Sequence, residues 1–229
     1  EGENIFDCVG DCGGSALIDC SGVCNGSETI NDCGFCSTIS DYDDVGECFA
    51  NYNQNHISAG NIHSLALRSN GSIISFGRND EEALFDIPKQ LLDVLSVSAG
   101  YSHSLALKSD STVVAWGDNS SGQTDTDELS SIVAVSAGQN FSLALKSDST
   151  VAAWGWNGDG QIDTDNLSNV IAISAGETHG LALKSDGTVV GWGYNGDEGR
   201  TDIPGDLSGV VSISAGDAHS LALKLDGTV

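Results

Sequence analysis

The sequence predicts an all-β protein in which small antiparallel sheets recur along most of the chain, behind a short cysteine-rich segment at the N-terminus. One group of residues recurs at nearly constant spacing from residue 56 onward. Within each copy the apolar residues form short strand-like runs, and no stretch shows the spacing of an amphipathic helix. All seven cysteines lie before residue 49. We therefore predict two domains, residues 1–50 and residues 51–229.

The N-terminal domain contains too few apolar residues for a hydrophobic core, so it needs a covalent or ionic staple. Disulfide bonds are the favoured staple and imply an oxidising compartment. Zinc is the alternative, because pairs of cysteines separated by two or three residues can bind it. The odd number of cysteines leaves one thiol free or bonded elsewhere. The candidate disulfide residues are Cys8, Cys12, Cys20, Cys24, Cys33, Cys36 and Cys48.

The second domain is a repeat marked by the tripeptide Ser-Ala-Gly. Successive copies are 38 or 40 residues apart, and they begin at Ser58, Ser98, Ser136, Ser174 and Ser214. A histidine follows three residues after each glycine in four of the five copies, at His63, His103, His179 and His219, and Phe141 takes its place in the third. An aromatic residue followed by glycine recurs in another phase, at Phe76, Trp116, Trp154 and Trp192. A period of this length is typical of a propeller or a solenoid.

Three strands are predicted in each copy. Ser131–Ser136, His103–Lys108 and Thr112–Trp116 are examples of the first, second and third strand, and an Asp-Gly type of turn joins the second to the third. A sheet of this size cannot cover both of its faces alone. Packing such sheets face to face around an axis covers them, which is the propeller solution.

The repeat resembles that of the RCC1-like (regulator of chromosome condensation) superfamily. The pattern Ser-Ala-Gly-x-x-His-Ser-Leu-Ala-Leu-Lys-Ser-Asp-Gly-Thr-Val-Val-x-Trp-Gly carries the resemblance over residues 56–229. It implies β-propeller blades, in a family that forms seven-bladed rings, and is closest in style to secreted bacterial members such as a β-lactamase inhibitor. Seven blades would need about 270 residues. Four full repeats and a partial fifth cannot close that ring, so we expect a fragment, or blades supplied from elsewhere.

The N-terminal domain carries a second resemblance. Its segments Asp11-Cys12-Gly13-Gly14 and Asp19-Cys20-Ser21-Gly22 resemble cysteine-rich spacers of large secreted proteins.

Charge and motifs exclude several classes of function. The chain has 33 acidic and 8 basic residues, a net charge of −25, which argues against binding to nucleic acid or to anionic lipid. No apolar run approaches the roughly 18 residues needed to span a bilayer, so no membrane insertion is expected. No nucleophile elbow and no His-Glu-x-x-His motif is present. We therefore predict that the chain is not an enzyme.

The candidate binding residues lie in loops that vary between repeats. Aromatic and acidic side chains on a rigid scaffold are typical of a protein-binding surface. The candidates after Ser-Ala-Gly are Tyr101, Glu177 and Asp217, and those after Trp-Gly are Trp156 and Tyr194. The histidine series is interpreted as packing residues whose ring nitrogens are satisfied locally, and the tryptophan series as core between blades.

Cofactor and modification sites complete the predictions. No cofactor is predicted, although a loop with Asn157, Asp159 and Asp163 partly matches the spacing of calcium ligands, and loosely bound calcium would relieve the negative charge. Possible N-glycosylation acceptors are Asn25, Asn70, Asn119, Asn140 and Asn166.

The leading functional hypothesis is a non-enzymatic extracellular or cell-surface interaction module, part of a larger secreted adhesin or appendage, whose partner is a protein, a glycan or itself. The first alternative is a structural subunit of an extracellular filament or coat that assembles through open blade faces. The second, from the family resemblance, is a nucleotide-exchange or inhibitor protein, which for the exchange role would have reduced cysteines.

Overall fold

The computed structural model describes residues 57–229 apart from 69–70, 79–85, 90 and 128, and the backbone of two short strands, β1 (Thr29–Ile30) and β2 (Cys36–Ser37), which pair antiparallel. The chain divides into two compact units, Glu1–Asn53 and Gln54–Val229. Several predicted sites lie outside the described side chains: Cys8, Cys12, Cys20, Cys24, Cys33, Cys36, Cys48, Asn25 and Asn70.

Each repeat of the second unit folds into an antiparallel sheet, here called a blade. Blade 1 contains β3 (Ile57–Ala59), β4 (His63–Leu67) and β5 (Ile73–Gly77), and blade 2 contains β6 (Val94–Ala99), β7 (His103–Lys108) and β8 (Val113–Gly117). Blade 3 contains β9 (Ile132–Ala137), β10 (Phe141–Lys146) and β11 (Val151–Gly155), and blade 4 contains β12 (Val170–Ala175), β13 (His179–Lys184) and β14 (Val189–Gly193). Blade 5 contains β15 (Val210–Ala215) and β16 (Ser220–Lys224). These sheets confirm the predicted fold class.

The middle strand of each three-stranded blade pairs with both neighbours, and the second and third strands form a hairpin. In blade 2 the hairpin places His103 opposite Gly117 and Leu107 opposite Val113. Its turn is held by Asp110, whose Oδ1 accepts hydrogen bonds from the backbone N–H and the hydroxyl of Thr112. These bonds, with that from the Lys108 ammonium, lower the pKa of Asp110 to about 2. The predicted strands therefore agree with the observed ones to within one residue.

The hairpin turn requires a left-handed backbone at its third position. Blades 4 and 5 use glycine there, at Gly187 and Gly227, with φ near 80°. Blades 2 and 3 instead carry Ser111 and Ser149, at φ 64° and 66°. A residue with a Cβ atom is uncommon in this region, so the same turn is built with less favourable residues in the middle of the array.

The hydrophobic core lies between blades rather than inside any one sheet. Leu105 and Leu107 of blade 2 pack with Ile132, Val135 and Ala144 of blade 3. Equivalent clusters join blade 1 to blade 2 and blade 3 to blade 4. The small residues of the middle strand and the leucines beside them fill the space between adjacent sheets, as expected for stacked blades.

The described blades form an open array and not a closed ring. Leu181 and Leu183 of blade 4 are 1% exposed beneath blade 5, whereas Leu221 and Leu223 of blade 5 are 47% and 39% exposed. At the other end, Phe76 is 55% exposed. The prediction that the aromatic residue before glycine packs in the core between blades is therefore wrong for Phe76 of blade 1, because no described blade precedes it.

Membrane-spanning helices are absent from the part of the chain that the structure describes.

Candidate functional site

The first strands of the five blades lie side by side around the axis, and the Ser-Ala-Gly tripeptide joins them. The Ala99 N–H donates to Ser58 Oγ at 2.9 Å, and the Ala137 N–H donates to Ser98 Oγ at 3.0 Å. The same bond recurs from Ala175 to Ser136 and from Ala215 to Ser174. The serine of each of blades 1 to 4 therefore links its blade to the next one.

The alanine and glycine of the tripeptide leave space at the axis. Their small side chains border a pocket of about 290 Å³ lined by all five blades. The residue after each glycine stands on the rim of this pocket. The five rim residues are Asn61, Tyr101, Gln139, Glu177 and Asp217. Three of the five predicted binding residues thus converge on one pocket.

The loops after Trp-Gly lie at the same end of the blades as this pocket. The Trp156 N–H donates to the Asn140 carbonyl at 2.8 Å, and the Tyr194 N–H donates to the Thr178 carbonyl at 2.9 Å. These carbonyls belong to the loops that carry the rim residues. We call this end the axial face, formed by the five rim residues together with Asp118, Trp156 and Tyr194. Trp156, Tyr194 and Tyr101 are 51%, 44% and 39% exposed.

A buried arginine supports the axial face between blades 4 and 5. The Arg200 side chain is 7% exposed, and its Nη1 donates to Thr178 Oγ1 at 2.9 Å and to the Asp217 carbonyl at 3.1 Å. Its Nη2 pairs with Glu198 at 3.1 Å. Its guanidinium carbon is 5.0 Å from the centre of the Tyr194 ring. Arg200 therefore contacts four residues at this end of the molecule.

Sequence reasoning missed Arg200, although the repeat contained a signal for it. The equivalent positions of blades 2 and 3 hold Gln123 and Gln161, each preceded by glycine and each buried. Those glutamines bond within their own loops, as in the contact of Gln123 Nε2 with Asp118 at 2.8 Å. A cation in a buried glutamine position of an otherwise regular repeat indicates a different local role.

Two carboxylates meet on the rim beside Arg200. Hydrogen bonding to Asp217 and burial raise the pKa of Glu177 above its usual value, and the charge of Arg200 opposes the rise. Gln139 also donates to Glu177 Oε1 at 3.0 Å. The rim between blades 3 and 5 is therefore acidic and hydrogen-bonded across three blades.

Family membership follows from sequence matches over these blades. The family model of the Regulator of chromosome condensation (RCC1) repeat matches residues 55–82, 94–123, 132–161 and 170–199, more than half of the chain. The chain belongs to the RCC1 repeat family. No curated protein sequence matches it. The family match confirms the resemblance of the repeat to RCC1, and the matched repeats correspond to blades 1–4.

Solved structures show the same fold. Human WBSCR16 is 20% identical, with a TM-score of 0.64 over 77% of this chain and 61% of that one. Prp20p from Saccharomyces cerevisiae is 23% identical, with a TM-score of 0.62 over 75% and 56% of the two chains. The ectodomain of the Physcomitrella patens receptor kinase CR4 is 22% identical, with a TM-score of 0.62 over 76% and 52%. The chain thus spans about half to three fifths of these proteins.

The loop that carries the calcium candidates contains an asparagine–aspartate hydrogen bond, here called the loop brace, which recurs in three RCC1 repeats. Asn157 Nδ2 donates to Asp163 Oδ1 at 3.0 Å, and Asn157 Oδ1 accepts from the Ile162 N–H. Asp159 accepts from Gln161 Nε2 at 3.3 Å. The same asparagine–aspartate bond recurs as Asn119 with Asp125 and as Asn195 with Asp202. Within the described residues, no three His, Cys, Asp or Glu side chains are grouped as metal ligands.

The three described sequons differ in their surroundings. Asn119 uses both ends of its amide in the loop brace, because its Oδ1 also accepts from the Thr124 N–H. Asn140 is half-buried in the loop beneath Trp156, and Asn166 is exposed in the loop that precedes blade 4.

The histidines of the RCC1 repeats are buried between blades, but their nitrogens are not satisfied locally as predicted. His63, His103 and His179 each place Nε2 within 3.0 Å of a serine hydroxyl of the next blade. Their Nδ1 atoms are buried without a hydrogen-bond partner. The histidine therefore joins two blades, a role that sequence spacing alone does not reveal.

Proposed function

We propose that this chain is a non-enzymatic protein-interaction module that binds its partner through the axial face. The observation that carries the proposal is the convergence of three exposed aromatic side chains and two carboxylates on one end of a rigid array. Aromatic residues at such positions dominate binding energy in protein interfaces. Proteins of similar fold also bind proteins: Prp20p is described with its binding to Gsp1p and histones, and yeast RCC1 with Kap60.

The chemistry of the face favours a partner that presents lysine or arginine. Glu177 and Asp217 supply negative charge at the rim, and Tyr101 and Trp156 offer exposed rings nearby. A cation over such a ring contributes about 0.5–1 kcal/mol at an exposed site. Carboxylates add attraction that falls with salt. A net charge of −25 steers a basic partner towards the molecule over longer distances.

A defined basic peptide tests this proposal. We expect an arginine-rich peptide to bind the full chain, and the double variant Tyr101→Ala/Trp156→Ala to bind about tenfold more weakly, because both aromatic contacts are lost. Fluorescence anisotropy at low and high salt measures both effects, and affinity should fall as salt rises.

The matched control removes exposed apolar side chains from the opposite end of the blades. Val133 and Ile171 are 42% and 54% exposed near the beginnings of β9 and β12. Val133→Ala/Ile171→Ala should leave peptide affinity unchanged. Equal loss in both double variants, or equal binding of a glutamate-rich peptide, would contradict the proposal.

We further propose that the module works outside the cell or on its surface. Seven cysteines within 50 residues and an exposed sequon at Asn166 support this location. Thiol labelling of the denatured, unreduced full chain should detect at most one free thiol, and a reduced sample should detect seven. Seven thiols that react before reduction and without a chelator would instead favour the nucleotide-exchange alternative. Seven thiols that react before reduction only when a chelator is present would favour zinc binding.

A further inference from the structure

Hydrogen bonding assigns the protonation of the buried histidines. Ser142 Oγ donates its only hydrogen to the Gln123 carbonyl at 2.9 Å. It can therefore only accept from His103, whose Nε2 is 2.9 Å away and must carry the hydrogen. Ser220 donates to the Arg200 carbonyl in the same way, which assigns the Nε2 hydrogen of His179. The neutral rings of His103 and His179 are thus donors towards the next blade.

The other nitrogen of each ring has no hydrogen-bond acceptor for a second proton. His63, His103 and His179 are 3%, 0% and 0% exposed, and the Nδ1 of each is buried without a partner. The His103 ring lies directly against the backbone of Gly100, with Nδ1 only 2.7 Å from the place where a Cβ atom on that glycine would stand. A protonated ring would place a charged N–H here with no acceptor, which is strongly unfavourable.

One junction lacks this arrangement and serves as an internal control. Between blades 3 and 4 the histidine is replaced by Phe141, which is 1% exposed, and the partner serine is replaced by Gly180. Both members of the pair are replaced together. That junction is closed by an apolar contact and has no histidine to titrate.

We propose that the His–Ser pairs are acid-sensitive links, so that mild acid loosens junctions 1–2, 2–3 and 4–5 while junction 3–4 remains closed. This conformational device is independent of what the axial face binds.

The charges around each ring set the pH range. Burial lowers the pKa of His103 to about 4, nearby His63 adds to the shift, and Asp118 opposes it. Burial also lowers the pKa of His63. In the unfolded chain these histidines bind protons with an ordinary pKa of about 6.5. The stability that the neutral histidines give to the junctions is therefore fully present above pH 6.5 and is lost as the pH falls towards 4.

Junction 4–5 contains opposing groups. Burial lowers the pKa of His179 to about 4, and the charges of Arg200 and His219 contribute to the shift. Glu177, paired with Asp217 across the same junction, has a raised pKa, so its protonation in acid favours the folded state. We therefore expect a smaller acid effect at junction 4–5 than at junctions 1–2 and 2–3.

Amide hydrogen exchange of the full chain tests the proposal at each junction. The N–H groups of Ala99, Ala137, Ala175 and Ala215 donate to serines across junctions 1–2, 2–3, 3–4 and 4–5 in that order. Between pH 7.5 and 5.0, a histidine with these two pKa values weakens its junction about 30-fold. Protection of Ala137, corrected for intrinsic exchange, should fall by up to that factor. Protection of Ala99 should also fall, because burial lowers the pKa of His63, and protection of Ala175 should not fall.

Two variants separate titration from packing. His103→Phe/Ser142→Gly copies the apolar junction into blades 2 and 3, and the Gln123 carbonyl still accepts from Trp154 Nε1 at 2.9 Å. It should abolish the acid loss of protection at Ala137. Ser142→Ala keeps the histidine, so it should lower protection at neutral pH and retain the acid loss. Equal pH dependence at all four alanines, or an acid loss that survives His103→Phe/Ser142→Gly, would overturn the proposal.

Discussion

Gly100→Ala is expected to lower the free energy of unfolding by about 3 kcal/mol. A Cβ atom at this position would lie 2.6 Å from the Gly138 carbonyl oxygen of the next blade and 2.5 Å from His103 Cε1. The carbonyl belongs to a backbone that is itself hydrogen-bonded to Tyr101, so it cannot move without opening the junction. The urea midpoint of the full chain measures the loss.

Gly205→Ala is the matched control for this substitution. Gly205 lies in the loop before blade 5, and nothing stands within 4 Å of the place where its Cβ would be. Its effect should stay within about 0.5 kcal/mol. If Gly100→Ala were as mild as Gly205→Ala, the close approach of blades 2 and 3 at the axis would be refuted.

Phe141→His is expected to cost about 3 kcal/mol at neutral pH, although histidine is the usual residue at this position of the repeat. Phe141 is 1% exposed, and the serine that would bond the new ring is absent because Gly180 occupies its place. Both ring nitrogens would then be buried without partners. Thermal and urea unfolding of the full chain measure the change.

Phe76→His is the control for that variant, because Phe76 is 55% exposed and a histidine there remains hydrated. It should change the stability by less than about 0.5 kcal/mol. A Phe141→His protein as stable as the wild type would show that a buried histidine at this position does not need a serine partner.

Much of the fold could be predicted because the same sequence pattern recurs in several copies. The Ser-Ala-Gly, Leu-Ala-Leu-Lys and Trp-Gly segments recur in register, so strands and turns were located to within one residue. Short strands with local turns depend mainly on neighbouring residues. The uncovered aromatic residue at Phe76 could not be predicted, because its exposure depends on which blade stands beside it.

The candidate site was predicted in part. The variable loops predict Tyr101, Glu177 and Asp217 as binding residues, and the structure places them on one rim. Arg200 was missed because its importance lies in partners far away in sequence, such as Thr178 and the Asp217 carbonyl. The calcium candidate rests on side-chain spacing, and in the structure Asn157 donates a hydrogen bond to Asp163 within the same loop.

Sequence by itself determined the repeat, its strands and its acidic character, because each depends on composition or on residues close together in the chain. Tertiary structure alone decided how the copies are joined: which serine bonds which histidine, which rim residues meet, and where Arg200 lies. Those contacts join residues about 20 to 40 positions apart on adjacent blades. They exist only after the sheets stack, since the stacking of apolar faces brings the polar partners within hydrogen-bond distance.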